Sequence, residues 1–574
     1  MKSRSWPITC LLLITTLFVA CSPQRPPTTG GADAQAPSRT QERGKTLSAA
    51  VRVEPAFIAG KPLLQAGLTL GSTVRLFNAG FTLVDDRGLN RPYLAEALPE
   101  LNTDSWKVLP DGRMETTYRL RPNLTWHDGK PLTSDDIAFA WRVYTNPDFG
   151  TASTAPQGLI DEVATPDAQT AIIHWKRPYP RAGALALGDM PPLPRHVLEN
   201  ALQNNASDAF VAQPFWTSEY VGLGPYKVEH WEPGAYIDAS AFAGHALGRP
   251  KIERIKLIFT NDANTALANL LSGNVQLLAD DAVYFQQAVI IRQNWAGNQG
   301  GSVLVMPGLW RYTQMQIHPE RVSPNARGLM DVNVRKAIAS AVDKQAINDG
   351  IYEGEGINSD SVIPPTVDYY AQVDRATNKY PYDPRRSEQL MNDAGYTKAS
   401  DGFFVGSEGR FSPELKVIQN AQNESEQAIM ASVWRRAGFD IQEAVLPSAQ
   451  AQDSQVRALF VAMFTTGGPL GENSLPNLGT AGTPRPENRW NGTNRGSWSN
   501  AEYDRLVDQF NTTLDRSERI RQIAEMVRIF SDELPALAIN FNPGITAHVS
   551  ALRGPQVTSP DSSPTWNVHE WELR

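Results

Sequence analysis

Cysteine is almost missing from this sequence: Cys10 and Cys21 are the only two among 574 residues. Everything after position 21 therefore lacks a disulfide framework, a cysteine nucleophile, a zinc knuckle and iron–sulfur ligation. Histidine is scarce as well. The eight histidines are dispersed, and none forms an HExxH, an HxH or a His/Cys ligand set. No GxSxG elbow, Walker glycine loop or Rossmann fingerprint is present, and "TTGGPLG" (465–471) lacks the Lys-Ser/Thr ending of a phosphate cradle. Asp85/Asp86, Asp135/Asp136 and Asp280/Asp281 are adjacent pairs, so their side chains splay, whereas glycosidic chemistry needs two carboxyls facing across a cleft. Dense basic tracts are absent, and the formal charge is −8, or −8 − 2 = −10 with Lys2 and Arg4 removed. Such a surface disfavours a polyanionic partner. No internal repeat is evident, which disfavours solenoids and propellers. The expectation is a protein that is not an enzyme, with no metal, no cofactor and no nucleic-acid partner.

What is present begins with a short basic start (Lys2, Arg4) and the apolar run "ITCLLLITTLFVA", the length of a signal h-region and short for a membrane span. "LFVA" before Cys21 resembles the lipobox of bacterial lipoproteins, with Phe18 where that motif favours Leu. The resemblance implies a signal peptide over 1–20 and a lipid-bearing Cys21. The stretch after Cys21 is rich in Pro, Gly, Thr, Gln and charge and lacks apolar periodicity, so 21–48 reads as a tether that cannot bury enough surface to order itself.

The body is too long for one ordinary core and should divide into at least two lobes with a cleft between them. Its pattern is mixed α/β. "METTYRLRPNLTW" (114–126) reads as a strand pair about Pro122 and Asn123, and "TAIIHWKRPYP" (170–180) and "IERIKLIFT" (252–260) read as strands. Helices are expected over 261–274, with Ala266, Leu267, Leu270 and Leu271 as the apolar face, and over 331–347, with Asp331 or Asn333 as cap. Two more, in 383–396 and 424–441, each run into a closing glycine. The last spans 517–535, opened by Ser517 and stopped before Pro535. Between 465 and 500 the chain is too rich in Gly, Pro, Asn and Thr for regular structure, as binding loops often are.

"TWHDGKPLTSDDIAFAW" (125–141) gathers a His, three Asp and two Trp, yet it parses as architecture. The strand end gives way to an Asp128-Gly129 turn, and Thr133 caps a helix whose N3 residue is Asp136. Asp135 and Asp136 lie where the helix dipole favours negative charge, and Ile137, Ala140 and Trp141 supply the buried face. His127 belongs to the turn.

Seven stretches then agree with one family: "RPYLAEALPE", "SWKVLPDGRMETTYRLRPNLTWHDGKPLTSDDIAFAW", "GLGPYKVEHWEPG", "PKIERIKLIFTNDANTALANLLSGNVQLL", "DVNVRKAIASAVDKQAI", "YDPRRSEQLMNDAGY" and "SNAEYDRLVDQFNTTLDRSERIRQIAEMVRIFSDELPALAI". In this order, over most of 50–550, they resemble the family 5 extracellular solute-binding proteins, the dipeptide and oligopeptide receptors of bacterial ABC importers. The resemblance implies an α/β type II periplasmic-binding fold, two lobes joined by crossover strands, with an additional subdomain in the N-terminal half. Lobe I with that subdomain would cover 49–312, lobe II 313–540, and 541–574 would return to lobe I. The crossovers would fall near 308–320 and 535–544. The implied role is capture of a peptide, or of another small solute such as a glycan fragment, opine or metal chelate. A monomer anchored to membrane lipid through Cys21, outside the cytoplasmic membrane, would deliver it to the importer's permease subunits.

Peptide receptors of this family usually carry an Asp soon after the strand matching "ALFVAMF" (458–464), where it meets the peptide's amino terminus. This chain reads Thr465, Thr466, Gly467, Gly468 there. Either another acid serves, with Glu472 as candidate, or the ligand is not a free-amino peptide. The expected contacts otherwise come from the early segment (Asn78), the first crossover (Trp310 and Tyr312, on one face of a strand), the long loop (Trp490, Asn491, Asn494, Arg495, Trp498) and the turn at Asp280 and Asp281.

Overall fold

The computed structural model describes residues 46–574 apart from 62, 64–70, 150–151, 153–154, 205 and 298–299. Cys21, the expected signal and nearly all of the expected tether lie outside the described residues. The main sheet is built, in chain order, from β1 (Thr46–Val51), β2 (Tyr226–Glu232), β3 (Tyr236–Ala241), β4 (Arg254–Phe259), β5 (Leu277–Leu278), β6 (Gly301–Met315), β7 (Glu414–Ile418), β8 (Gln442–Leu446), β9 (Met463–Gly468) and β10 (Ala536–Val549). Their spatial order is β8-β7-β9-β6-β10-β5-β1-β4-β3-β2, with Ile357–Asn358 paired onto β10. β1 shows why these segments are strands. Leu47, Ala49 and Val51 enter one core while Ala50 enters another, the period of two that buries both faces of a sheet.

β6 and β10 are the long members, antiparallel along almost their whole length. Residues 301–306 of β6 pair with 544–549 of β10 beside β5, and residues 310–315 pair with β9 on the other side. Each strand thus starts in one lobe and ends in the other. At the crossing Pro307 faces Pro543, and the register shifts immediately after it. Proline has no N–H to donate, so the ladder is interrupted where the lobes join. Gly308 and Gly544 follow, and a Cβ on Gly308 would stand 3.0 Å from the Gly544 nitrogen, so the two backbones approach as only glycine allows. The crossover segments expected near 308–320 and 535–544 overlap these strands in part: β6 ends at Met315, β10 begins at Ala536, and the proline pair stands at 307 and 543.

The N-terminal half adds an antiparallel four-stranded sheet, Trp106–Val108, Met114–Arg119, Thr170–Trp175 and Ile160–Asp167 in that spatial order. The expected second strand after Pro122 is instead a loop, because Asn123 takes a positive φ of 59° and only a Thr125–Pro131 bridge follows. α1 (Gly71–Phe77) lies in lobe I, and α2 (Ser134–Tyr144) backs the small sheet. Asp136 organises the start of α2: its carboxylate accepts the Thr133 N–H at 2.9 Å, the Arg195 N–H at 2.9 Å and the buried Trp126 indole N–H at 3.3 Å.

α3 (Ala263–Leu271) is capped by Asp262, with Leu271 turned to solvent instead of the core; α4 (Phe285–Trp295) follows β5. The single helix expected over 331–347 is two, α5 (Val332–Ser340) and α6 (Lys344–Tyr352), because Asp343 leaves helical geometry and caps a new start through the Ala346 N–H. α7 (Pro384–Asp393) and α8 (Ala421–Ala437) end at positive-φ Gly395 and Gly438 as expected. α9 (Ala501–Phe510) precedes α10 (Arg516–Glu533), whose cap is Asp515 in place of Ser517. Residues 465–468 of the expected irregular stretch complete β9, and short 3₁₀ turns occupy much of the rest.

His245 is buried and His127 half-buried, and neither is hydrogen-bonded to an acid. His127 donates from Nε2 to the Gly224 carbonyl at 3.0 Å and accepts the Gly222 N–H at Nδ1, so it is held neutral. His245 likewise donates from Nδ1 to Gly248 and accepts the Tyr93 hydroxyl. Burial pulls them to about 4 and about 3 from 6.5. Between these values and 6.5 the unfolded chain binds more protons, so stability falls as pH drops through that window, by up to about 1.4 kcal/mol per pH unit for each histidine. Urea midpoints at pH 7.5 and 5.5 should therefore differ, with the lower at pH 5.5, and His127→Gln should shrink the gap. Equal midpoints would contradict this.

Candidate ligand-binding cleft

The parallel strands of both lobes end toward one space. Beyond β1 the chain continues through 52–56, beyond β4 through 261–264, and beyond β5 through 284–287; from lobe II, 418–422 follow β7 and 448–452 follow β8. These segments line a cavity of about 970 Å³. Ligands in open α/β sheets sit at the carboxyl ends of the strands, where helix N-termini point. Here α3, α4 and α8 begin at the cavity wall, capped by Asp262, Tyr284 and Asn420. The wall is rich in amides: Asn261, Asn264, Gln286, Gln287, Gln419, Asn420, Gln422 and Gln452. Amides both donate and accept, which matches peptide groups without requiring charge.

β7 pairs with β9 only through Met463 and Phe464, whereas β6 pairs with it as far as Gly468. The other edge of 465–468 is thus an unpaired ladder, although Thr465 and Thr466 are buried. In the cavity wall, 53–56 make no backbone hydrogen bond to any described residue. Buried or cleft-facing main-chain groups without partners are costly unless something pairs with them. Below the edge, Arg311 (7% exposed) donates to Glu426 (3% exposed) at 2.8 and 2.5 Å and to Asn423 Oδ1 at 2.8 Å, which fixes the crossover strand to α8. Arg181 donates to Asn473 and Arg489 to Asp208, both at 3.0 Å, which ties the N-terminal half to the 465–500 stretch.

The expected contact residues divide sharply. Trp310 and Tyr312 do share a face, but it is core: they stack at 4.1 Å and are 1% and 2% exposed. Trp498 is buried against Tyr503 and Phe530, its indole donating to Glu533. Asn494 directs its amide to Gly479, Trp498 and Thr483 and so staples the loop. Asn78 is likewise saturated, donating to Ile58 and Val74 and accepting from Gly60 and Tyr220. Thr465 bonds Thr313 at 2.7 Å. Glu472 is consumed by Arg519 at 2.8 Å and Tyr369 at 3.1 Å, which removes it as a free acceptor for an ammonium. Asp280 accepts from Ser72 and Thr73 and thereby anchors the start of α1.

Asp281, in contrast, accepts no hydrogen bond from a described residue; burial raises its pKa, and Arg52 opposes that. Both aspartates hold positive φ, 46° and 57°. Trp490 and Asn491 are partly exposed, with Arg321 5.8 Å above the Trp490 ring. Gly467 and Thr466 contribute the free edge. The cleft amides were missed in the sequence reading. "TNDAN" and "QNAQN", each following a strand and starting a helix, carry that signal by the strand-end rule.

The profile of the bacterial extracellular solute-binding proteins, family 5 Middle, matches residues 96–483. The chain belongs to this family. A Brucella ovis protein named for peptide binding by an ABC transporter is 27% identical over 303 residues, 51% of each chain, so the chain spans about half the length of that relative. The oligopeptide binding protein from Thermus thermophilus, complexed with pentapeptide, matches 92% of this chain and 96% of its own at 20% identity and a TM-score of 0.79. NikZ from Campylobacter jejuni in complex with Ni(L-His) matches 92% and 99% at 22% identity and a TM-score of 0.75. These likenesses give the family's type II periplasmic-binding fold, with the two lobes and crossover strands expected. Among the described residues no helix is long and apolar enough to cross a membrane.

In this family member the Arg311–Glu426 pair should be structural. Glu426→Ala leaves a buried guanidinium unpaired and should cost about 3–5 kcal/mol in guanidinium denaturation. The double change Arg311→Met, Glu426→Leu should cost far less than the sum of the single changes.

Proposed function

We propose that this protein is the solute-capturing receptor of an ABC importer, that it acts by binding without catalysis, and that its ligand is a peptide. One observation carries the reading. Strand ends from both lobes and the unbonded main chain of 53–56 line one amide-rich cavity of about 970 Å³, to whose free main-chain groups an extended peptide can add as a strand. The lobes would close on it by bending where Pro307 faces Pro543, a few residues before the boundary at 312, with lobe I over 49–312, lobe II over 313–540 and 541–574 returning to lobe I. The contacts Arg181–Asn473 and Arg489–Asp208, between the N-terminal half and the 465–500 stretch, would hold the closed form. Asp281 supplies the free carboxylate for a positive group of the ligand, the role that Glu472 cannot fill.

A second reading keeps the fold and changes the solute. No acid stands in 465–468, and NikZ, which is similar in fold, is in complex with a metal chelate. Among the described residues no group of three or more His, Cys, Asp or Glu is placed to hold a bare metal ion, so a chelate would have to bring its own ligands.

Native mass spectrometry of gently purified protein should show a ladder of peptide masses, and Asp281→Asn should lower peptide occupancy about tenfold, the loss of one charge-assisted bond. A single non-peptide adduct would favour the second reading, and an intact protein that retains no solute would overturn both. We further propose that Cys21 carries a lipid and holds the body outside the cytoplasmic membrane, beside the permease. Cys21→Ser should move the protein from the membrane fraction to the soluble one; unchanged fractionation would contradict it.

A further inference from the structure

Tyr352 closes α6, and the chain turns back at once. Glu353 and Gly354 take positive φ of 50° and 81°, after which Ile357 and Asn358 pair with Phe541 and Asn540 of β10. Asn348 staples that turn, its amide donating to the Gly356 carbonyl at 2.9 Å and accepting the Gly356 N–H at 2.8 Å. The Tyr352 ring is 1% exposed and meets the Phe285 ring of α4 edge-on, with centroids 5.9 Å apart. Phe285 follows Tyr284 and precedes Gln286 and Gln287, and these three line the cavity. The contact lies in the core that β5 and α4 share with α5, β7 and β9.

From this fixed ring the Tyr352 hydroxyl donates to Asn542 Oδ1 at 2.9 Å. Gln422, in the first turn of α8 and in the cavity wall, donates from Nε2 to the same oxygen at 3.1 Å. A carboxamide oxygen has two lone pairs, and here both are taken. Gln422 Oε1 accepts no hydrogen bond from a described residue, which leaves it available to a donor entering the cavity. Asn542 stands directly before Pro543 and pairs with Leu309, where the register has shifted after Pro307. One side-chain oxygen at the crossing therefore holds a cleft amide and a buried hydroxyl together, and neither Tyr352 nor Asn542 lines the cavity.

We propose that Tyr352 and Asn542 are positioning residues, through which solute bound at Gln422 acts on the Pro307/Pro543 crossing. This rests on the reading of the cleft as a solute site. A solute donor on Gln422 Oε1 fixes that side chain, its Nε2 then holds Asn542, and the bend that keeps these groups together is favoured. Binding and bending become linked, so breaking the link lowers affinity although no contact with solute is lost.

The test uses a pool of Ala/Gly/Phe pentapeptides, with calorimetry and amide hydrogen exchange on solute-stripped protein. In wild type the pool should slow exchange in 306–309 and 541–545. Tyr352→Phe, which keeps the ring and loses the hydroxyl, and Asn542→Leu should each weaken binding about two- to tenfold, the loss of one neutral hydrogen bond, and should lose the added protection. The double variant should bind no more weakly than Asn542→Leu alone, because the hydroxyl acts only through Asn542. Asn542→Asp keeps the accepting oxygen and should retain both affinity and protection. Variants that melt lower yet bind and protect as wild type does would mark a merely structural network and overturn the inference, as would equal losses in Asn542→Asp and Asn542→Leu. If wild type binds no pentapeptide, peptide capture falls and exchange without solute decides. Tyr352→Phe should then speed exchange in 541–545 and leave 254–259 unchanged, and equal rates in the two proteins would reject the link.

Discussion

The pairing of β6 with β10 is the constraint on which the rest depends. Two strands of this length must belong to two lobes at once, and they remain hydrogen-bonded to each other on both sides of the crossing. The only places where the ladder lapses are the shifts after Pro307 and after Arg311, and the first has a proline on each strand. Of the two lapses only the first lacks a donor on both strands, which makes it the place to bend at lower cost. One core lies in the N-terminal half and one in the second half, while a third is shared, with Leu278, Phe285 and Ile291 in one cluster with Ile338, Leu415 and Met463, so bending at the crossing has to be accommodated within that shared core.

The same strands fix the site. β6 carries Arg311 toward α8 on one face and the Trp310–Tyr312 stack toward α10 on the other. Both faces are therefore occupied in holding lobe II rigid, and only the lateral edge of β9 is left over. The cavity wall accordingly offers main-chain groups, helix N-termini and amides.

Local patterns were legible in the sequence. The capped helix after "TWHDG", the glycine-closed helices before Gly395 and Gly438 and the two crossover segments could all be read from spacing and from the family resemblance. The misses have a common physical source. An aromatic at strand period fits a core and a cleft equally well, so Trp310, Tyr312 and Trp498 were placed by residue type when their partners decide. Asn78 and Asn494 look like free hydrogen-bonders until their saturating partners are known, and those lie as far away as Tyr220 and Gly479. Glu472 looked available because Arg519, its partner, is 47 positions away. The helix over 331–347 was read through Asp343 because apolar spacing continues across it, while the cap geometry does not.

The central claim is that the lobes move about the Pro307/Pro543 crossing when solute binds. Small-angle X-ray scattering on protein stripped by unfolding and refolding, then reloaded with the solute recovered from the native preparation, tests it most directly. The account predicts a smaller radius of gyration and a shorter maximum dimension after reloading. Superimposable scattering curves for the two forms, with binding confirmed in the same samples, would contradict it.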